Sequence, residues 1–154
     1  QDAGKEWGPG APGIAHTDGL ITATPGLVLS GFFADCSPVF LVDPVRRVVG
    51  LIHAGKRGTL EGIIPVAIRT MAGAFGVCPE DVIAGVGPCI GPCCYDMDLP
   101  GTIRNELLAV GLTPSHILMS GLCTSCSKGD FFSYRRDLGT TGRMGAYIGI
   151  ISQG

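Results

Sequence analysis

Apolar residues in this chain fall into short runs, and the spacing inside each run separates strands from helices. Two β-rich pieces flank a Pro25-Gly26 turn, the second covering residues 27–33. The runs "VFLVD" (39–43) and "VVGLIH" (48–53) follow, parted by the turn "PVRR". Both are apolar at every position but the last, which suits strands buried on two faces. The pattern then changes. In "TLEGIIPVAIRTMAGAF" the residues Leu60, Ile63, Ile64, Ala67, Ile68 and Met71 recur at helical spacing, with Gly76 as the stop. Pro65 fits such a helix only near its first turns or as a kink. "DVIAGVGPCIG" predicts a strand entering a glycine-proline loop, and "LPGTIRNELLAVG" a helix with Asp98 as N-cap and Gly111 just past its end. Short strands are expected at 117–119, at "FFSY" (131–134) and at "AYIGIIS" (146–152). Residues 1–19, rich in Gly, Pro and charge, read as loop. The alternation predicts a mixed α and β fold without an internal domain boundary.

Composition narrows the partners. With 45% hydrophobic and 16% charged residues, the 154-residue chain has the means to bury one core. A net charge of −2 with no basic block offers no electrostatic footprint for nucleic acid. Gly, Pro or a polar residue interrupts every apolar run before membrane-spanning length, so no membrane partner is expected. The seven cysteines are an odd number in a chain too apolar to need disulfide staples, which favours a reducing cytoplasm.

Candidate chemistry gathers at the ends of the apolar runs. Cys36 follows Asp35 in "ADCSPV", and His53 opens "HAGKRG". Each is expected at the C-terminal end of a strand, where loops build sites. A thiolate with an imidazole forms a ligand pair for zinc or copper, or a nucleophile with its base. Two satisfied core residues are the plain alternative. "HAGKRG" also leads into a helix whose first N–H groups, with the charges of Lys56 and Arg57, suit a phosphate or carboxylate. It lacks Walker A spacing, and an ordinary turn with solvated charges accounts for it equally. Arg135, Arg136 and Arg143 surround a glycine-rich turn and could fork an anion or simply face solvent. Cys123 and Cys126 have CxxC spacing, with Cys89, Cys93 or Cys94 as further donors to a structural zinc. These three lie in a Gly-Pro loop with no second CxxC, so the cysteines read instead as small buried thiols. His16 and His116 are loop residues that nothing requires as ligands.

Several segments occur together in a specific order: "HTDGLIT", "FFADCSPVFLVD", "GLIHAGKRG", "GVGPCIGPCCYDMD", "CT" and "FFSYRRD…TGRM". In this the chain strongly resembles the bacterial YfiH-like proteins, long called polyphenol oxidases or laccase-domain proteins, over nearly its whole length. The resemblance implies mixed β-sheets packed between helices in α-β-β-α layers, as in cytotoxic necrotizing factor-like enzymes. It implies a zinc held by Cys36, by His53 and by a second histidine from a "QVH"-type motif that these 154 residues do not contain. Relative to the family, the single domain over 1–154 is expected to lack an N-terminal part and an internal segment near 98–99. Lys56 also stands where the family's "HAGWRG" has tryptophan.

The function so implied is a zinc-dependent purine nucleoside phosphorylase acting on adenosine, inosine or methylthioadenosine, with adenosine deaminase activity. Its partners would be a purine nucleoside and phosphate. Cys36, His53 and Asp35 would be the catalytic group, Cys36 and His53 the metal ligands, and Arg57, Gly58 and Arg135 the phosphate contacts. Copper-dependent oxidation of phenols is the alternative, although three histidines are few for a multicopper centre. A peptidoglycan-editing or non-enzymatic role on the same fold is another.

Overall fold

Antiparallel pairing of the two most apolar runs builds the centre of the protein, which a computed structural model describes at residue 14 and residues 16–151. β3 (Ser37–Asp43) and β4 (Val48–Ala54) pair from Ser37 opposite Ala54 to Asp43 opposite Val48. The buried Asp43 carboxylate accepts the N–H groups of Val45 and Arg46 at 2.8 and 2.9 Å, which shapes the turn between them. β1 (Gly19–Thr22) joins the outer side of β4, and β5 (Ile83–Val86) the outer side of β3, both antiparallel. β6 (Ile117–Met119) runs parallel to β5 and completes the five-stranded order β1-β4-β3-β5-β6. β2 (Val28–Phe33) and β7 (Met144–Gly149) pair antiparallel as a second, two-stranded sheet.

Side-chain alternation along β3 and β4 feeds two cores. Val39, Leu41, Val48 and Ile52 face the helices α2 (Ile63–Phe75) and α3 (Leu99–Ala109), meeting Ile64, Ile68, Met71, Ile103 and Leu107. Val49 and Leu51 face the other way, onto Leu29, Phe33 and Ala146 of the second sheet. Both faces of the central strands are therefore covered, as their unbroken apolar runs predict. The described residues form the helix, sheet and sheet layers of the expected mixed α and β architecture. Among them no helix is long and apolar enough to cross a membrane.

The sequence-predicted boundaries hold at several caps. Asp98 accepts the Gly101 N–H at the start of α3, Gly111 follows its end at φ 99°, and Gly76 closes α2 at φ 68°. Two expectations fail. The helix predicted from 59 onward is split into a single turn, α1 (Lys56–Leu60), and α2, because Gly62 sits between them at φ 78°. This break puts Pro65 in the first turn of α2, where no N–H donor is needed. The strand expected at 131–134 is a set of turns instead. The Arg136 guanidinium, bonded to the carbonyls of Thr124, Ser125 and Phe131, holds that segment out of any ladder. Its aromatic residues imitate β preference without a neighbouring strand to pair with. The expectations for residues 1–13 and the missing histidine motif lie outside the described residues.

Candidate functional site

Cys36 lies in the reversal that carries the chain from β2 in one sheet to β3 in the other. Asp35, preceding it, takes the left-handed conformation at φ 86° and is only 5% exposed. Its carboxylate accepts Thr124 Oγ1 and the Arg135 N–H, both at 2.7 Å, while its carbonyl accepts the Ile90 N–H at 2.8 Å. One residue thus ties three separate loops to the cysteine turn, and these bonds hold it in a backbone region that non-glycine residues seldom occupy.

His53 sits near the end of β4, opposite Pro38 of β3. The sequence places both Cys36 and His53 at C-terminal strand ends, but in the structure Cys36 immediately precedes β3. Antiparallel pairing is what brings the start of β3 beside the end of β4. His53 Nδ1 lies 3.2 Å from Asp18 Oδ1, and the His53 N–H donates to the Asp18 carbonyl at 2.7 Å. The ring also packs on Phe33, centroids 5.4 Å apart. With Nδ1 engaged by a carboxylate, Nε2 is the nitrogen left for a ligand. Gly55 closes the pair from below: a Cβ there would come 2.8 Å from Cys36 Sγ and 3.9 Å from His53 Cε1.

Both residues line one cavity of about 620 Å³, with Asp35, Lys56, Tyr95, Tyr134, Arg135 and Arg143 among its walls. That volume is in the ordinary range for a small-molecule site. Burial pushes the Cys36 thiol up, the negative charges of Asp35 and Asp18 add to the shift, and Arg143 opposes it. Such a thiol is a poor free nucleophile, and a cation beside it would favour the thiolate. Lys56, in the tryptophan's place, binds Asp96 at 2.7 Å and lies 5.4 Å from the Tyr95 ring centroid. That hydrogen bond raises the Lys56 pKa and lowers that of Asp96. Arg135 also lies over the Tyr95 ring, at 4.9 Å, and Arg143 over Tyr134 at 5.7 Å.

Other sequence-predicted residues are placed elsewhere. Arg57 and Gly58 do not line this cavity; Arg57 is 83% exposed and pairs with Glu61 at 3.8 Å. The helix they open is one turn long, too short for an appreciable dipole. Arg136 is no free anion fork, since Asp137 and three carbonyls take its guanidinium. Sequence reasoning passed over Asp18, Gly55 and Tyr95 as members of the site. The quoted motifs contain all three, but nothing in their spacing shows that they meet. Cys36 and His53 together are a fitting thiolate and imidazole pair for zinc, and among the described residues no further His, Cys, Asp or Glu completes a set of three with them.

The cysteines read as scattered buried thiols behave otherwise. Of the five concerned, Cys89 alone is buried, and burial pushes its thiol up to about 12. Cys93, Cys94 and Cys126 are exposed, and with Cys123 their four Sγ atoms lie within 4.8 Å of one another. Burial opposes ionisation of Cys123, but the N–H groups of Gly91 and Cys126 and the neighbouring thiols outweigh it, lowering the group to about 6. Hydrogen bonds that the Cys126 thiol donates to Cys94, Cys93 and Cys123 push it up to about 12.

A helix-covered mixed sheet with a cysteine and a carboxylate-supported histidine in a cation-lined cavity defines a class of small-molecule site on an α and β scaffold. The chain belongs to the family described as multi-copper polyphenol oxidoreductase laccase, whose pattern matches residues 2–98 and 95–151. It is 38% identical to the purine nucleoside phosphorylase YlmD of Geobacillus stearothermophilus, over 94% of this chain and 63% of that protein. To the purine nucleoside phosphorylase ORF3 of Streptomyces griseus it is 36% identical, over 92% of this chain and 66% of the other. The crystal structure of the Bacillus licheniformis hypothetical protein YfiH superposes with a TM-score of 0.85 at 38% identity, covering 87% of this chain and 61% of that one. The chain thus spans a little under two thirds of the length of these relatives.

Proposed function

We propose that this chain provides the core of a zinc-dependent purine nucleoside phosphorylase, with Cys36 and His53 as two ligands of the metal. The observation that carries the reading is the meeting of these two residues in one cavity with Lys56, Arg135 and Arg143. The names of the relatives support the reaction class. A third donor is expected from the family's "QVH"-type histidine, and a zinc ion held there would supply Lewis acidity toward the substrate.

In phosphorolysis a phosphate oxygen forms a bond to the ribose C1′ while the bond from C1′ to the purine nitrogen breaks, and the base leaves with that electron pair as ribose 1-phosphate forms. The transition state carries positive character on the sugar and negative charge on the phosphate and the departing base. Arg135, Arg143 and Lys56 offer cations to the phosphate, with Arg135 held in place through its backbone by Asp35. Tyr95 holds Lys56 and Arg135 beside the cavity through its ring. Asp18 holds the His53 ring, and Asp35 acts by positioning the loops around Cys36. Adenosine deamination would use the same cavity, with water adding to the purine C6 and the 6-amino group leaving as ammonia.

The test incubates protein of verified intact mass with adenosine, inosine or methylthioadenosine, with and without phosphate, after metal analysis. Phosphate-dependent release of base is expected, lost in Cys36→Ala together with metal bound there. Absence of both base release and deamination in protein that holds one equivalent of zinc removable by Cys36→Ala overturns the proposal. So does copper in the site with oxidation of phenols, the activity that the family's description names.

A further inference from the structure

β5 and β6 leave the sheet side by side, and their parallel pairing continues past the strand ends. Cys89 N–H donates to Leu122 O at 3.3 Å and Thr124 N–H to Cys89 O at 3.1 Å. This registers the loop holding Cys93 and Cys94 against the one holding Cys123 and Cys126. Gly91 turns the first loop back over the second: its N–H donates to Cys123 Sγ at 3.3 Å, and its carbonyl accepts the Cys94 N–H at 3.0 Å. The Cys93 and Cys94 sulfurs each come to 3.5 Å from Cys126 Sγ, and all four sulfurs fall within 4.8 Å. No disulfide joins them.

We propose that Cys93, Cys94, Cys123 and Cys126 form a tetrathiolate site for a Zn²⁺-class cation, separate from the Cys36–His53 pair. Four sulfurs about 2.3 Å from one zinc stand roughly 3.8 Å apart along the edges of a tetrahedron, close to the spacing here. Soft thiolates select zinc-like cations over calcium or magnesium. Metal uptake converts thiols to thiolates and releases their protons. The Arg136 guanidinium, bonded to the Thr124 and Ser125 carbonyls inside the CxxC turn, brings a positive charge toward the thiolates. Three of the four cysteines are exposed, so packing in a core does not explain their convergence. With four protein ligands the site is closed, and its role is structural. It staples Ile90 and Tyr95, which line the cavity, to Thr124, which anchors Asp35. The proposal is independent of the phosphorylase reading.

The test uses the full protein, purified reduced and without oxygen, carrying Cys36→Ala to remove the other site. Titration with Co²⁺ is expected to give one equivalent of intense thiolate-to-cobalt absorption with the visible bands of a tetrahedral ion, displaced by Zn²⁺. Adding Cys94→Ser and Cys126→Ser should abolish it, whereas Cys78→Ser, at an exposed cysteine outside the group, should leave it unchanged. In case the double variant does not fold, thiol counting on the Cys36→Ala protein gives a second reading: one Zn²⁺ should shield four thiols from a disulfide reagent. No cobalt uptake by the reduced Cys36→Ala protein overturns the proposal. So does thiolate-to-cobalt absorption that persists in the folded double variant, or shielding of fewer than three thiols.

Discussion

A methyl group on Gly55 would press on Cys36 Sγ at 2.8 Å, although the Gly55 backbone, at φ −95° and ψ 176°, is open to any residue. Gly55→Ala therefore acts chiefly by displacing the Cys36 thiol. Gly55 is buried, so the overpacking should lower the unfolding free energy by about 1–3 kcal/mol while leaving the protein folded. Metal content at the Cys36–His53 pair should fall, and base release should drop on the order of 10- to 100-fold, since small displacements of reacting groups are costly. Metal analysis and steady-state assay check both; full activity in Gly55→Ala would mean that Cys36 does not act at the reaction centre. Cys36 and His53 were legible as candidates from their residue types and their positions at the ends of apolar runs. Asp18 was not, because its contact with His53 spans 35 positions and depends on β1 lying against β4.

α3 buries Leu99, Ile103 and Leu107, and Glu106 next to that stripe has one carboxylate oxygen shielded from solvent without a partner. Burial raises its pKa above 4.5. A raised carboxyl pKa means that the fold disfavours the charged form. The resulting destabilisation is full above the folded pKa and disappears as pH falls below the unfolded value. Glu106→Gln should therefore stabilise the protein at pH 7, by less than about 1 kcal/mol because the group is partly solvated. The gain should vanish near pH 4. Urea unfolding of both proteins at the two pH values measures it; a gain that is equal at both would assign the effect to packing instead. Element boundaries were readable where a cap residue marks them, as at Asp98, Gly76 and Gly111. They were not readable at Gly62, where the hydrophobic spacing continues across the break and only the left-handed backbone reveals it.

β3 and β4 have a core on each face, whereas among the described residues β2 and β7 pair only with each other and leave Val28, Phe32 and Tyr147 exposed. Amide hydrogen exchange should accordingly be slowest in β3 and β4 and faster in β7, through an opening that frees the second sheet before global unfolding. Equal protection of β7 and β4 would show that the two sheets open as one unit. The cavity depends on the same arrangement. Its walls come from the β2–β3 reversal, the end of β4, the loop after β5 and the 134–143 turns, so it exists only when both sheets are docked.

Local patterns were enough to establish the mixed α and β class, the buried central strands, most helix caps and the candidacy of Cys36 and His53. Each depends on periodicity or residue type within a short stretch, and such signals survive in one dimension. The pairing of the cysteine with the histidine, the support from Asp18, the exclusion of Arg57 from the cavity and the gathering of four cysteines depend on strand order and direction. Residues 93 and 126 share no local signal, and parallel β5 and β6 bring their loops together. A set of thiols that looked like scattered core residues along the chain became, once folded, the most concentrated group of metal-ligating atoms among the described residues.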